Sequence, residues 1–379
     1  MRRSWRGRRR AVERRLWSSV CMCLGSFCAI FLAAFLLHSS GYAGGERAPV
    51  TGDEPPADTS ATADDHTDAK EELTAGDLAR LQVNELGDVM IIMYHDIRDD
   101  EGEWVRSRSN FRRDLERFNS LGYSLVPLSA YLSGDIRVPA GRAPLVLTFD
   151  DGTRGQFSMV QGDTGMIPDP GCAVGILLQF SQEHPEFGQA ATFFINSGNP
   201  FGDSSHIKEN LTFLIENGME VGNHTRGHKN LAHSSPEEVA KEIGSLANEV
   251  REITGNEVVS LALPFGGYPK SEEYLLAGTW AGHEYINKGI LLVGAEPAPS
   301  PFSKEFNPLA IPRIRGSQEE LDKWLRQFEK YPDGRFVSDG QSETVTVREG
   351  KDADLDLGRV GGLTVRTYPS GPASTPVPS

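Results

Sequence analysis

Cysteine is nearly absent from the part of this chain that can fold. Of four in 379 residues, Cys21, Cys23 and Cys28 lie in one apolar run near the start, which leaves Cys172 alone. A lone cysteine closes no internal disulfide, so an oxidising compartment would supply no covalent staple, and Cys172 is expected to be a small buried residue. A net basic charge is also missing beyond the first seventeen residues. These hold eight arginines against Glu13, so the rest of the chain carries a formal −22 where the whole carries −15. A body that acidic gives no electrostatic footprint for nucleic acid or anionic lipid and leaves neutral glycans as reasonable partners. No internal repeat is present, and the Asp-x-Asp-x-Thr pattern of phosphatases that begin from paired aspartates is lacking.

With 38% hydrophobic residues the chain can build a sizeable core, as one large domain or two small ones. Ser18–Leu37 is an uncharged, mostly apolar run behind the arginines, nearly the ~20 residues that span a bilayer. The arginines would stay inside and direct the downstream chain outward. Residues 1–43 are therefore expected to be either a signal peptide cut after Ala43 or an uncleaved membrane anchor, placing the rest of the chain outside the cytoplasm, secreted or tethered. Residues 44–77, rich in Gly, Ala, Pro, Asp and Thr, cannot bury enough surface to order themselves and are expected to form a flexible linker. Residues 78–340 are expected to form the main domain. Residues 341–379 should hold short strands (Thr344–Val347, Leu363–Thr367) and a disordered Pro/Ser tail.

Within 78–340, order should begin near Val89. Val89–Tyr94, Tyr123–Pro127, Leu145–Phe149, Ala190–Ile195, Glu220–Gly222, Val258–Leu263, Ile290–Val293 and Leu309–Ile314 are expected strands. Between them lie expected helices: one capped by Asn110 with Phe111, Leu115, Phe118 and Leu121 on one face, and others over Cys172–Glu183, Ile207–Asn217, Ser235–Ile253 and Gln318–Phe328. Apolar strands alternating with helices imply parallel βα units, closed as a barrel or left as an open sheet. In both, functional side chains gather where the strands end.

Two motifs stand at such ends. Leu147-Thr148-Phe149-Asp150-Asp151-Gly152 puts two carboxylates after a buried strand, where they are costly unless paired, protonated or bound to a cation. A turn whose aspartates cap the next helix would look the same. Gly222-Asn223-His224-Thr225-Arg226-Gly227-His228 sets two imidazoles four residues apart. On a helix these would lie one turn apart and reach one metal ion, although surface histidines also occur at this spacing. Together they give Asp plus two His with a spare Asp, the set of roles needed for metal-assisted hydrolysis.

Thr148-Phe149-Asp150-Asp151-Gly152 and His224-Thr225-x-x-His228 resemble the first two motifs of the NodB homology domain, the polysaccharide deacetylases of carbohydrate esterase family 4. Ala191–Ile195 resembles the strand between them, and the likeness runs from about Val89 to Gly340. It implies an α/β fold, a distorted (β/α) barrel. It also implies a divalent ion, zinc being the expected one, held by Asp151, His224 and His228. Asp150 would be the base, and Thr225 would brace the histidine loop. Leu263-Pro264-Phe265-Gly266 resembles the third motif, in which the Phe265 backbone N–H would face the developing oxyanion.

The sequence departs from the family twice. Ala262 stands where an arginine usually holds the catalytic carboxylate, and no histidine comes after His283 to supply the usual late Leu-x-His. Ile311-Pro312-Arg313-Ile314 ends a late strand, and Arg313 is expected either to hold Asp150 in place of the missing arginine or to pair with a structural acid on the rim. Met93-Tyr94-His95 and Pro312-Arg313-Ile314 resemble the branch that includes extracellular poly-N-acetylglucosamine deacetylases. The resemblance implies removal of acetyl groups from N-acetylated amino-sugar residues of an envelope or extracellular polysaccharide. An O-acetyl esterase, or a non-catalytic glycan-binding protein that kept the fold, are the alternatives.

Overall fold

The structure is a computed structural model and describes residues 73–369. The basic start, the apolar run of residues 18–37 and residues 44–72 of the expected linker lie outside the described residues, as does the end of the tail. Among the described residues no helix is long and apolar enough to cross a membrane. Residues 73–77, expected in the linker, open a helix at Ala75–Leu81. Thr74 and Asp77 form a reciprocal capping box there, and Leu78 is buried with Val83 and Tyr368.

The main sheet is built from β1 (Met90–Tyr94), β2 (Tyr123–Leu125), β3 (Ala143–Asp150), β4 (Thr192–Ile195), β5 (Glu220–Asn223), β6 (Ser260–Ala262), β7 (Gly289–Leu291) and β8 (Ile314–Arg315). Its order is β7-β6-β5-β4-β3-β1-β8, with β2 also on β3, and every pairing is parallel. The expected late strand Leu309–Ile314 is reduced to two residues. The backbone just before it turns instead to the far edge, where Ile290 N–H donates to Pro308 and Leu292 N–H to Ile311. Residues 308–315 therefore touch both edges, β7 and β1, and curl the sheet into a distorted barrel.

Helices α1 (Arg108–Ser120), α2 (Ala173–Glu183), α3 (Ile207–Glu216), α4 (Pro236–Thr254) and α5 (Gln318–Lys330) follow the strands. The cap of α1 is Ser107 rather than Asn110, because the Ser107 hydroxyl already accepts the Asn110 N–H. Leu121 lies beyond the last turn and is exposed, while Phe111, Leu115 and Phe118 are buried. In α4, Ser235 and Glu238 make a capping box, and Val239, Ile243, Leu246 and Val250 recur at helical spacing toward the core.

Strand alternation sorts the core in two. Leu145, Leu147 and Phe149 of β3 pack outward with α1 and α2, while Val146 joins an inner cluster with Ile91, Phe194, Ala262 and Leu291. By the same alternation Thr148 and Asp150 point inward, and both are buried. Gly222 is required where β5 crosses Phe194, since a Cβ there would lie 2.4 Å from the ring. Cys172 is buried and free, and its Sγ accepts the Gly175 N–H at the start of α2. The two late strands, Thr344–Arg348 and Thr364–Tyr368, pair in parallel, and Val345 and Val347 of the first pack into the inner cluster.

Candidate active site

Asp150 ends β3 inside the barrel. The Arg313 guanidinium grips it with two parallel bonds, Nη1 to Oδ1 and Nη2 to Oδ2, each 2.7 Å. Arg313 Nη1 also donates to Thr148 Oγ1 at 3.1 Å, and Nε to the Leu292 carbonyl at 2.9 Å, so the side chain is held at each nitrogen. Burial pushes the Asp150 pKa up. The nearby Arg313 charge, with His224 and the Arg313 hydrogen bonds, outweighs burial and holds the carboxyl below its ordinary range. Ala262 lies on β6, and the arginine reaches the acid from the opposite edge of the sheet.

Asp151 turns sharply away from Asp150, with φ 78°, and its Oδ1 lies 3.2 Å from His224 Nε2 and 3.0 Å from His228 Nε2. The two histidines do not share a helix. They sit on a loop after β5, where Thr225 and His228 take positive φ and Gly227 forms the turn. Non-helical backbone folds the loop back on itself, and Thr225 Oγ1 accepts the Lys229 N–H across it at 2.9 Å. The loop is clamped further by Asn223 and by two residues, Asn196 and Glu242, that no sequence motif marked. Asn196 Nδ2 donates to the carbonyls of His224 and Thr225 (2.7 and 3.0 Å), Asn223 Oδ1 accepts the Thr225 N–H, and Glu242 of α4 accepts the Gly227 N–H at 2.8 Å. Behind the acids, Gln156 Nε2 bonds the carbonyls of His95 and Asp150.

Of the seven non-glycine residues with positive φ among those described, four are Asp151, Thr225, His228 and Phe265. Such strain persists only where the surroundings over-determine it, and more than half of the cases gather at this one place. Phe265 follows β6 in a short 3-10 turn, its ring exposed and 4.8 Å edge-on from His228. Its backbone N–H has no acceptor among the described residues. His95, after β1, sits beside the acids. Burial lowers its pKa, and the charges of Asp150 and Asp151 oppose that shift.

The donor set fits a divalent cation. His224 Nδ1 lies 2.9 Å from the Ala262 carbonyl, which can only accept, so in the neutral ring the proton is on Nδ1 and the lone pair on Nε2. That lone pair faces Asp151 Oδ1, a buried oxygen with no hydrogen-bond partner. Two lone pairs at 3.2 Å repel unless a positive charge stands beside them. Donor atoms of Asp151, His224 and His228 all lie within 4.8 Å of one another. Asp, His and His suit zinc and leave a coordination position open.

Residues 137–279 match the family model of polysaccharide deacetylases. The match is to this segment, 143 of the 379 residues, and it supports an enzyme of the polysaccharide deacetylase kind. The matched segment holds the paired aspartates, both histidines and Phe265 but stops short of Arg313. No curated protein matches the chain. Similar solved structures include the Streptococcus pyogenes deacetylase PplD, at 18% identity and TM-score 0.46, covering 61% of this chain and 92% of that one. IcaB from Ammonifex degensii aligns at 18% identity and TM-score 0.46, covering 65% and 97%. A polysaccharide deacetylase from Bacillus cereus aligns at 19% identity and TM-score 0.46, covering 63% and 69%.

Proposed function

We propose that this deacetylase is metal-dependent and removes acetyl groups from N-acetylated amino-sugar residues of a cell-envelope or extracellular polysaccharide. The observation that carries the reading is the convergence of Asp151, His224 and His228 beside an acid that Arg313 keeps ionised. A bound divalent ion, zinc by the donor set, would supply Lewis-acid polarisation of the acetyl carbonyl and acidify a water. Asp150 accepts that water's proton at its carboxylate, ready at neutral pH because its pKa is depressed. Arg313 fixes the direction of the carboxylate, and the Phe265 N–H meets the negative charge that develops on the acetyl oxygen. Asn196, Asn223, Thr225 and Glu242 keep both imidazoles in place.

Two features support the amino-sugar substrate: Met93-Tyr94-His95, and the Pro312-Arg313-Ile314 segment, both resembling the poly-N-acetylglucosamine branch. The apolar run behind the N-terminal arginines supports work outside the cytoplasm. Acetate release by the purified, zinc-loaded protein from poly-N-acetylglucosamine, peptidoglycan and acetylated xylan tests the reading. Release from the first two alone is expected. Release from xylan alone would make it an O-acetyl esterase, and release from none would leave a glycan-binding protein.

A further inference from the structure

Three aromatic side chains stand exposed among the described residues: Trp104, Phe265 and Tyr331. Two of them rise at the site. Phe265, 66% exposed, follows β6, and Trp104, 40% exposed, lies in the loop after β1. In the strand order β6-β5-β4-β3-β1, the Asp150–Asp151 pair ends β3 and the histidine loop follows β5. The strands carrying the two exposed rings therefore flank the strands carrying the reacting groups, one on each side.

Trp104 is held as a fixed surface. Its ring lies 4.6 Å from the His95 ring, and the Arg315 guanidinium carbon is 4.1 Å from its centroid. Its carbonyl accepts the Asp96 N–H at 3.1 Å. Glu101, just before it, accepts from Arg106 Nη1, the Ser107 N–H and Asn110 Nδ2 at 2.7–2.8 Å, and buried Arg106 is paired with Asp114. The Arg315 guanidinium covers one face of the ring, yet 40% of the residue stays open on this constrained loop, and an exposed aromatic surface suits the C–H face of a pyranose.

We propose that Trp104 is a sugar platform, and that the glycan runs past Trp104 on one side of the reacting acetyl group and past Phe265 on the other. The domain then takes internal residues of a chain in preference to single sugars. This rests on the amino-sugar deacetylase reading above. The test measures acetate release by the full, zinc-loaded chain from N-acetylglucosamine oligomers of one to six units. Trp104→Ala should raise KM for the hexamer about tenfold, the size of a 1.4 kcal/mol loss, with kcat changing less than about twofold. Trp104→Phe should recover most of the affinity, and Tyr331→Ala should leave KM at the wild-type value. Titration of the hexamer into the Asp150→Asn protein, with and without Trp104→Ala, should show the same loss of binding. An unchanged hexamer KM in Trp104→Ala, or kcat falling in step at every length, overturns the platform and leaves the deacetylase reading standing. A wild-type protein that releases no acetate from any oligomer overturns the amino-sugar reading, and the platform with it.

Discussion

Arg313 and Asp150 meet end-on, both nitrogens of the fork on both oxygens of the carboxylate, with neither side chain open to solvent. Two buried charges are tolerable at such a distance only because the pairing is bidentate and two of the three remaining guanidinium N–H groups find Thr148 and Leu292. The acid carrying the proposed proton transfer is thus oriented from outside the family-matched segment.

Replacing Arg313 should raise the Asp150 pKa, because burial then loses its largest opponent. The acidic limb of the kcat/KM profile should move to higher pH in Arg313→Lys and further in Arg313→Ala, since Lys keeps the charge but loses the fork. Stability should suffer too. A depressed carboxyl pKa contributes stability above the ordinary carboxylate range and loses it as pH falls through the depressed value. Arg313→Ala leaves a buried carboxylate unpaired, a cost of about 3–5 kcal/mol in urea unfolding. If the limb stays in place in the folded Lys variant, Arg313 is structural.

Asp150→Asn and His228→Ala should separate base from ligand. Asn retains all three converging donors, so zinc retention in equilibrium dialysis should match the wild type while turnover falls about 10²–10⁴-fold. His228→Ala should lose both. Loss of zinc in Asp150→Asn would show that the two aspartates have exchanged roles.

Asn196→Ala touches none of the donors. It frees the carbonyls of His224 and Thr225 and loosens a loop held at positive φ, so zinc affinity should drop about 10–100-fold, as it does when groups behind metal ligands are removed. Unchanged affinity would mean that the bonds from Asn223 and Glu242 suffice.

These residues divide by how they are written in sequence. Strand β3 reads as a continuous apolar run because it is covered on both sides, and that run delivers Asp150 and Asp151 to its end with little ambiguity. The His224–His228 spacing is visible, but not the geometry. Threonine and histidine rarely take positive φ, so a helical turn is the natural expectation and the loop is a tertiary product. Asn196, Gln156 and Glu242 are single polar residues with no period, and nothing local separates them from surface positions. The hairpin Ala277–Trp280 with His283–Ile286 is also unread, its turn being Ala281-Gly282 in place of the stronger Asn-Gly signal.

A second buried acid should set stability rather than turnover. Glu85, just after the first helix, is buried against Asp339. Its oxygens accept from Ser338 Oγ (3.2 Å), the Asp339 N–H (3.3 Å) and the Thr346 N–H (2.7 Å). Burial, and then the Asp339 charge, push the Glu85 pKa up to about 8. A carboxyl raised in the folded state binds a proton that the unfolded chain has already released. Stability is therefore complete below the ordinary glutamate range of about 4.3 and falls as pH rises toward about 8, by up to about 1.4 kcal/mol per pH unit. Asp339→Asn removes the repelling charge, and its amide can still donate to the Thr344 and Thr346 hydroxyls that now bond Asp339 Oδ2. That variant should lower the Glu85 pKa, flatten the decline between about pH 6 and 9, and unfold at higher urea than the wild type at about pH 8. Parallel urea midpoints for the two proteins across that range would show that Glu85 does not titrate there.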